Sequence, residues 1–157
     1  MYLFGVVIVK NSLTSHMVNG NMAQRDVFLD SISQLKNVQS LWLVRAKSVS
    51  EQFGNSNLAN EKPKDEIDLQ VLNTGIEKIV IEESLYTANL RITIPYTASS
   101  LDKPNCLSCH NAKEGEVLGA ISLSFDISED RGSTIMVLIY IIGTISIFLI
   151  VFLIFMR

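Results

Sequence analysis

Cysteine is nearly absent from this chain. The 157 residues hold two, and both fall inside the five residues from Cys106 to His110. A disulfide between them would close only a tiny ring and stabilise little. Histidine is equally scarce: His16 and His110 are the only two. A four-ligand zinc site is therefore short of donors, with His16 the one obvious addition to the cysteine stretch. The charge has no basic concentration. Thirteen Lys and Arg lie scattered along a chain of net charge −3, so nucleic acid is not an expected partner. There is no internal repeat and no low-complexity tract. No Ser-His-Asp set, carboxylate pair or phosphate-binding glycine loop is recognisable, so hydrolytic or transfer catalysis is not expected and the chain is not read as an enzyme.

What the chain does have is a long apolar run near its end. Ile135 to Met156 carries no charge, and crossing a bilayer core takes about 20 apolar residues. Gly143, Thr144 and Ser146 are its small or weakly polar members, and a helix satisfies them internally or against a neighbour. The run predicts a transmembrane helix over 134–157. Arg157 follows it, which places that end in the cytoplasm by the excess of positive charge inside. Tyr2 to Val9 is also apolar, but Lys10 ends it too soon for a span, and no basic region precedes it as in a signal peptide. Residues 1–10 are read as the tail of an N-terminal membrane segment whose beginning is missing.

Between these lies a domain expected over 11–133. Asn11 to about Asn37 reads as one helix, with Leu13, Met17, Phe28, Ile32 and Leu35 near a common face. Gln39–Ala46 reads as a strand, and Ser48–Ala59 as a loop with a short helical turn. Pro63 is expected to open a second short helix that buries Ile67, Val71 and Leu72 and stops at Gly75. Strands are expected over Ile76–Glu83, Tyr86–Ala98 and Val117–Ile127. Leu90, Ile92, Ile94 and Tyr96 alternate with polar positions in the second of these. Pro95 cannot donate to a ladder and belongs at an edge or a bulge. The pattern is that of an α+β domain with an antiparallel sheet.

The motif that carries chemistry is Cys106-Leu107-Ser108-Cys109-His110. The C-x-x-C-H spacing is the attachment signal of c-type haem: two thiols at the separation of the two haem vinyl groups, and an imidazole placed to reach the iron. Three other readings compete. They are the zinc site, a thioredoxin-like redox pair, which wants a βαβ setting and the first Cys opening a helix, and the small disulfide. Haem is preferred, because the motif lies in a polar loop beside an expected membrane helix. One covalent haem c at Cys106, Cys109 and His110 is the expectation. Thioethers of this kind are formed outside the cytoplasm, so the domain before Ile135 is expected in the bacterial periplasm, anchored in the inner membrane.

Four stretches resemble a known family. They are Met17-Val18-Asn19-Gly20 followed by Arg25-Asp26; Trp42 to Gly54, reading LVRAKSVSEQFG after the tryptophan; Leu90 to Ala98, LRITIPYTA; and Asn105 to Ser128, NCLSCHNAKEGEVLGAISLSFDIS. The last is the most specific. Over about 11–130 the sequence resembles the periplasmic haem-c sensor domains of bacterial transmembrane receptors, such as methyl-accepting chemotaxis proteins and diguanylate cyclases. The resemblance implies a PAS-like, or single Cache, fold with a long N-terminal helix. It implies signal transduction across the membrane to a cytoplasmic signalling domain or partner protein. Such receptors are dimeric. A homodimer is also expected because Val18, Val27 and Leu29 lie outside the narrow apolar stripe of the first helix.

A second iron ligand would come from the soft or imidazole donors of that helix. Met17 ranks first, on the same face as Gly20, whose missing side chain admits a flat macrocycle. Met22 ranks second and His16 third. Arg45 and Arg91 are candidate partners of the haem propionates, since a guanidinium fork fits a carboxylate. The leading expectation is a sensor of a small gas (NO, CO or O2) or of redox state. The rival is a membrane-tethered monohaem cytochrome c that transfers electrons, and a haem-dependent enzyme such as a peroxidase is a weaker third.

Overall fold

Two faces of one sheet organise the domain, and each is covered by helices. The computed structural model describes residues 2–54, 61–84 and 87–157. Helix α1 spans Tyr2–Val18 and α2 Arg25–Ser33, with a single 3-10 turn at Met22–Gln24 between them. Strand β1 (Val38–Arg45) follows, then α3 (Lys47–Phe53) and α4 (Glu66–Thr74). Strands β2 (Lys78–Glu83), β3 (Ala88–Thr97) and β4 (Val117–Asp126) complete an antiparallel sheet of order β1-β4-β3-β2. Helix α5 (Ser128–Phe155) closes the chain.

Strand residues alternate between the two faces, which sorts the core into two clusters. Leu43, Ile92, Ile94, Ile121, Leu123 and Phe125 pack under α1 and α2, meeting Val6, Val9, Leu13, Phe28, Leu29 and Ile32. On the opposite face Trp42, Val44 and Ala120 pack against Val71 and Leu72 of α4. Because both faces are covered, β1 reads as an unbroken apolar run, Leu41 to Val44, rather than an alternation. The close pairing of β1 and β4 explains Gly119: a Cβ there would stand 2.5 Å from the Val44 carbonyl oxygen. Pro95 pairs with Ala120 of β4. On its other side the partnership with β2 ends at Thr93, so its missing N–H faces an open edge, as expected.

The first helix is shorter than its periodicity suggests. Gly20 takes φ +70°, and the Asn21 N–H reaches the His16 carbonyl (2.9 Å) while the Gly20 N–H reaches that of Met17 (3.2 Å). These paired bonds are a Schellman stop, which a left-handed glycine makes easy. The expected single helix over Asn11–Asn37 is thus two helices joined by a turn. Gly20 is its terminator rather than a mid-helix opening. Residues 2–10 of the stretch expected as a membrane tail belong to α1 and pack on the sheet through the buried Val6 and Val9. Leu29, expected to need a second copy as cover, packs on the core. The second short helix opens at Glu66 rather than Pro63, because Asp65 accepts the N–H groups of Ile67 and Asp68 and caps it. Gly75 (φ +66°) stops it as expected, its N–H bonding Val71. The expectations for 55–60 and for Tyr86 lie outside the described residues.

Helix α5 is long and apolar enough to span a membrane by length and composition, and its apolar window is wholly unburied by the rest of the chain. Its first turn touches the domain: Lys36 pairs with Glu129 (3.1 Å) and Arg131 donates to the Ser84 carbonyl (2.8 Å).

Beneath α4 lies a buried polar cluster. Arg91 donates to Ser122 Oγ (3.0 Å), to both carboxylate oxygens of Asp65, and to Asp68 Oδ1 (2.7 Å). The guanidinium holds the Asp65 carboxyl below its usual range, helped by the Asp68 and Ile67 amides. A lowered carboxyl contributes stability above its unfolded value, and that stability is lost as pH falls through the folded value. Asp65→Asn retains a helix-capping side chain but not the charge. It is therefore expected to lower the urea midpoint at about pH 6, and the gap to wild type is expected to narrow by roughly pH 3. A gap of constant size across that range would contradict the pairing.

Candidate functional site

The two cysteines lie in the connection between β3 and β4, at one end of the sheet. Thr97 ends β3 and Val117 starts β4 there, and Arg45 ends β1 beside them. Helix α5 leaves from the opposite end, where Ile127 N–H bonds the Ala88 carbonyl. The connection is fastened to the sheet by the Ala98 N–H to Glu116 carbonyl and Gly115 N–H to Ala98 carbonyl bonds, each 2.8 Å. The Ser100 N–H, donating to Glu114, and the Lys113 N–H, donating to Glu116, hold both carboxyls below their usual range. Within it Cys106–Ser108 forms a 3-10 turn, opened by Asn105, whose side chain accepts the Leu107 N–H. One turn brings both sulfurs and the following histidine into one loop. Cys106 is half-buried, Cys109 is exposed, and neither is in a disulfide.

His110 is half-buried, like Cys106. Its ring meets Phe53 edge-on, with centroids 5.3 Å apart. Burial pushes its pKa down, which favours the neutral imidazole that ligates metals. Its Nδ1 is buried without a hydrogen-bond partner among the described residues. An orphaned ring nitrogen beside two free thiols fits a group that would take up the imidazole. Among the described residues no three His, Cys, Asp or Glu side chains converge as a cage for an ion. A tethered macrocycle needs no such cage, only two thiols and one or two axial donors.

The other expected residues are distributed as follows. The Lys10 carbonyl accepts from the Tyr96 hydroxyl (3.2 Å) near the end of β3. The next seven residues of α1 rise about 10 Å, carrying Met17 past that end of the sheet, the end that holds the cysteine loop. Met17 is 36% exposed. Met22 is half-buried in the 3-10 turn after Gly20, so the two methionines sit on different elements. His16 Nδ1 contacts the Ser12 carbonyl oxygen (2.9 Å) and its ring packs on Phe28, which ties it between α1 and α2. No hydrogen bond or ring contact among the described residues joins these three to His110.

The arginines differ. Arg91 is committed to Asp65, Asp68 and Ser122 under α4 and serves as a strut of the core, so it is not carried forward as a propionate partner. Arg45 lies at the sheet end beside the loop. It pairs with Glu61 (2.8 Å) and donates to the Gly54 carbonyl (3.2 Å). Glu61, 7% exposed, also receives Arg25 Nε at 2.9 Å, and Arg25 donates to the Met22 carbonyl (2.8 Å). Carboxylate and two guanidinium groups thus tie the turn after α1 to the end of β1.

Sequence reasoning assigned no site role to Gln52, Phe53, Arg25 or Glu61. Gln52 and Phe53 stand in the quoted Trp42–Gly54 stretch, but nothing local to them announces a contact with residues 57 positions away. Neither a protein-family model nor a curated protein matches the chain.

Proposed function

We propose that this chain is a membrane-anchored c-type haem sensor domain, with one haem attached at Cys106 and Cys109 and His110 as proximal ligand. The observation that carries the reading is C-x-x-C-H in an exposed loop with both thiols free and the imidazole orphaned. When bound, the haem supplies a redox-active iron that takes small gases. The chain's own residues attach it, orient the imidazole and connect the loop to the first helix. The fold is read as PAS-like, or single Cache: an antiparallel sheet with a long N-terminal helix on one face and short helices on the other supports that assignment. Helix α5 is read as the anchor, with the domain in the periplasm and the output in a cytoplasmic signalling domain or partner protein. Apolar residues exposed on α1 and α2, among them Phe4, Ile8, Val18 and Val27, suit a second copy as cover, and the reading is of a homodimer.

Signal transfer in this reading runs through α1. The helix packs on the sheet by Val6, Val9 and Leu13 and begins beside α5, where Tyr2 bonds Asp130. Its other end presents Met17 at the sheet end of the cysteine loop. A ligand shifts an equilibrium only by binding two states unequally. A thioether that holds iron in one state and not in another would move α1 relative to the sheet. In the matured chain, Met17→Ala is expected to change the six-coordinate spectrum and raise gas affinity, whereas Met22→Ala and His16→Ala leave both near wild type. If all three variants keep the wild-type spectrum and gas affinity, neither α1 nor the turn after it supplies a ligand.

The exposure of Cys109 favours a second reading, a tethered monohaem cytochrome c that passes electrons to a partner. A methionine ligand that persists in both oxidation states, with no gas binding, would support that reading over the sensor.

A further inference from the structure

We propose that Gln52 and Phe53, the last two residues of α3, are the positioning clamp for His110. The inference rests on the haem reading above. The Gln52 side-chain amide spans the histidine: Nε2 donates to the Cys109 carbonyl at 2.9 Å and Oε1 accepts the Asn111 N–H at 2.9 Å. These are the backbone groups on either side of His110. A primary amide offers a donor and an acceptor in one plane, so it pairs with the chain as a neighbouring strand would. Only one orientation of the amide satisfies both partners, which fixes the assignment of its oxygen and nitrogen. The backbone of His110 is thereby held at both flanks.

Phe53 acts on the ring instead. It stands edge-on to the imidazole at an interplanar angle of 76°, and an aromatic edge against a ring face is a favoured geometry. It is 56% exposed, so its packing on His110 is not a by-product of core burial. The element that carries both residues is itself fixed. Ala46, just before α3, donates to the Leu118 carbonyl (3.0 Å), and Gly54, just after it, accepts from Arg45 (3.2 Å). The clamp is therefore built from β1 and β4, not from the loop it holds. Orientation of a ligating histidine by groups beyond the metal is a general means of tuning the metal.

The test uses the full chain, with and without haem maturation, as wild type, Gln52→Ala and Phe53→Leu. Without haem, the Asn111 amide is expected to exchange with solvent about tenfold faster in Gln52→Ala, as loss of one hydrogen bond implies. Phe53→Leu is expected to exchange as wild type does. After maturation, both variants are expected to carry haem mass equal to wild type, with displaced g-values for the ferric haem and a displaced reduction potential. Wild-type g-values and potential in Gln52→Ala overturn the inference. That holds even if its exchange is faster, because the clamp would then hold the loop without setting the ring. A matured wild type without haem mass overturns the haem reading. Exchange in the haem-free chain separately decides whether Gln52 clamps the loop.

Discussion

Cys106→Ser/Cys109→Ser is expected to abolish covalent haem altogether, while leaving the fold of the chain intact. Each thioether needs its own sulfur, so the double variant has no atom through which the macrocycle can be tethered. After maturation, wild type should retain haem through acidified organic extraction and show the mass of one haem above the bare chain. The double variant should show the bare mass, and each single variant should fall well below wild type. The loop carries little of the domain's stability: Cys109 is exposed, Cys106 half-buried, and the core clusters lie on the sheet away from both. Substitutions at such positions usually change stability by about 0.5 kcal/mol or less. The haem-free variant and haem-free wild type should therefore unfold at closely similar urea concentrations. Absence of haem mass from matured wild type would end the haem reading. Retention of that mass by the double variant would place attachment elsewhere.

Asp68→Ala is expected to be the most damaging single substitution for stability. Asp68 is fully buried. It accepts from Trp42 Nε1 (2.9 Å), the Lys64 N–H (2.9 Å) and Arg91 (2.7 Å). The alanine leaves an indole N–H and a backbone N–H without an acceptor and strips a buried guanidinium of one counter-charge. Breaking a buried ion pair from one side costs about 3–5 kcal/mol, a large part of the roughly 5–15 kcal/mol that holds a domain together. Trp42 is the only tryptophan and lies in the cluster, with Lys64 and Arg91 over its ring at 4.2 and 4.6 Å. Its fluorescence therefore reports the loss directly in a denaturant titration. Asp68→Asn keeps an acceptor and should fall between. Adding Arg91→Leu to Asp68→Ala should cost less than the two separately, because the stranded charge goes with its partner. A midpoint for Asp68→Ala within experimental error of wild type would show that the cluster is not the strut described here.

These two substitutions separate what was readable along the chain from what was not. C-x-x-C-H needs only the spacing of five residues, so the expected attachment site stands in the sequence whatever the fold. The same holds for the uncharged run from Ile135 to Met156, whose length and composition alone make α5 long and apolar enough to span a membrane. Four strands were placed within one or two residues at most ends because their apolar and β-branched runs are local, and Gly75 marked a helix end because a left-handed residue is cheap there. The sequence also contained Gly20, but a glycine inside a helical period reads equally as a tolerated interruption or a stop. The packing of Phe28, Leu29 and Ile32 on the sheet, which needs a turn between α1 and α2, selects the stop.

Long-range partners were decided only by the tertiary structure. Arg91 and Arg45 look alike in sequence, each a lone arginine in a strand. The pleat puts Arg91 under α4, where Asp65 and Asp68 capture it, and leaves Arg45 at the sheet end beside Glu61 and the cysteine loop. Val6 and Val9 read as membrane residues because an apolar helix face has the same composition against lipid as against a sheet. Gln52 meets Cys109 and Asn111 only because β1 pairs with β4, which carries α3 to the base of the loop. Residue type and period decide what an element is and which of its faces is apolar. Which face meets which, and which charges are buried together, depends on strand order and on helix ends that no single stretch of sequence encodes.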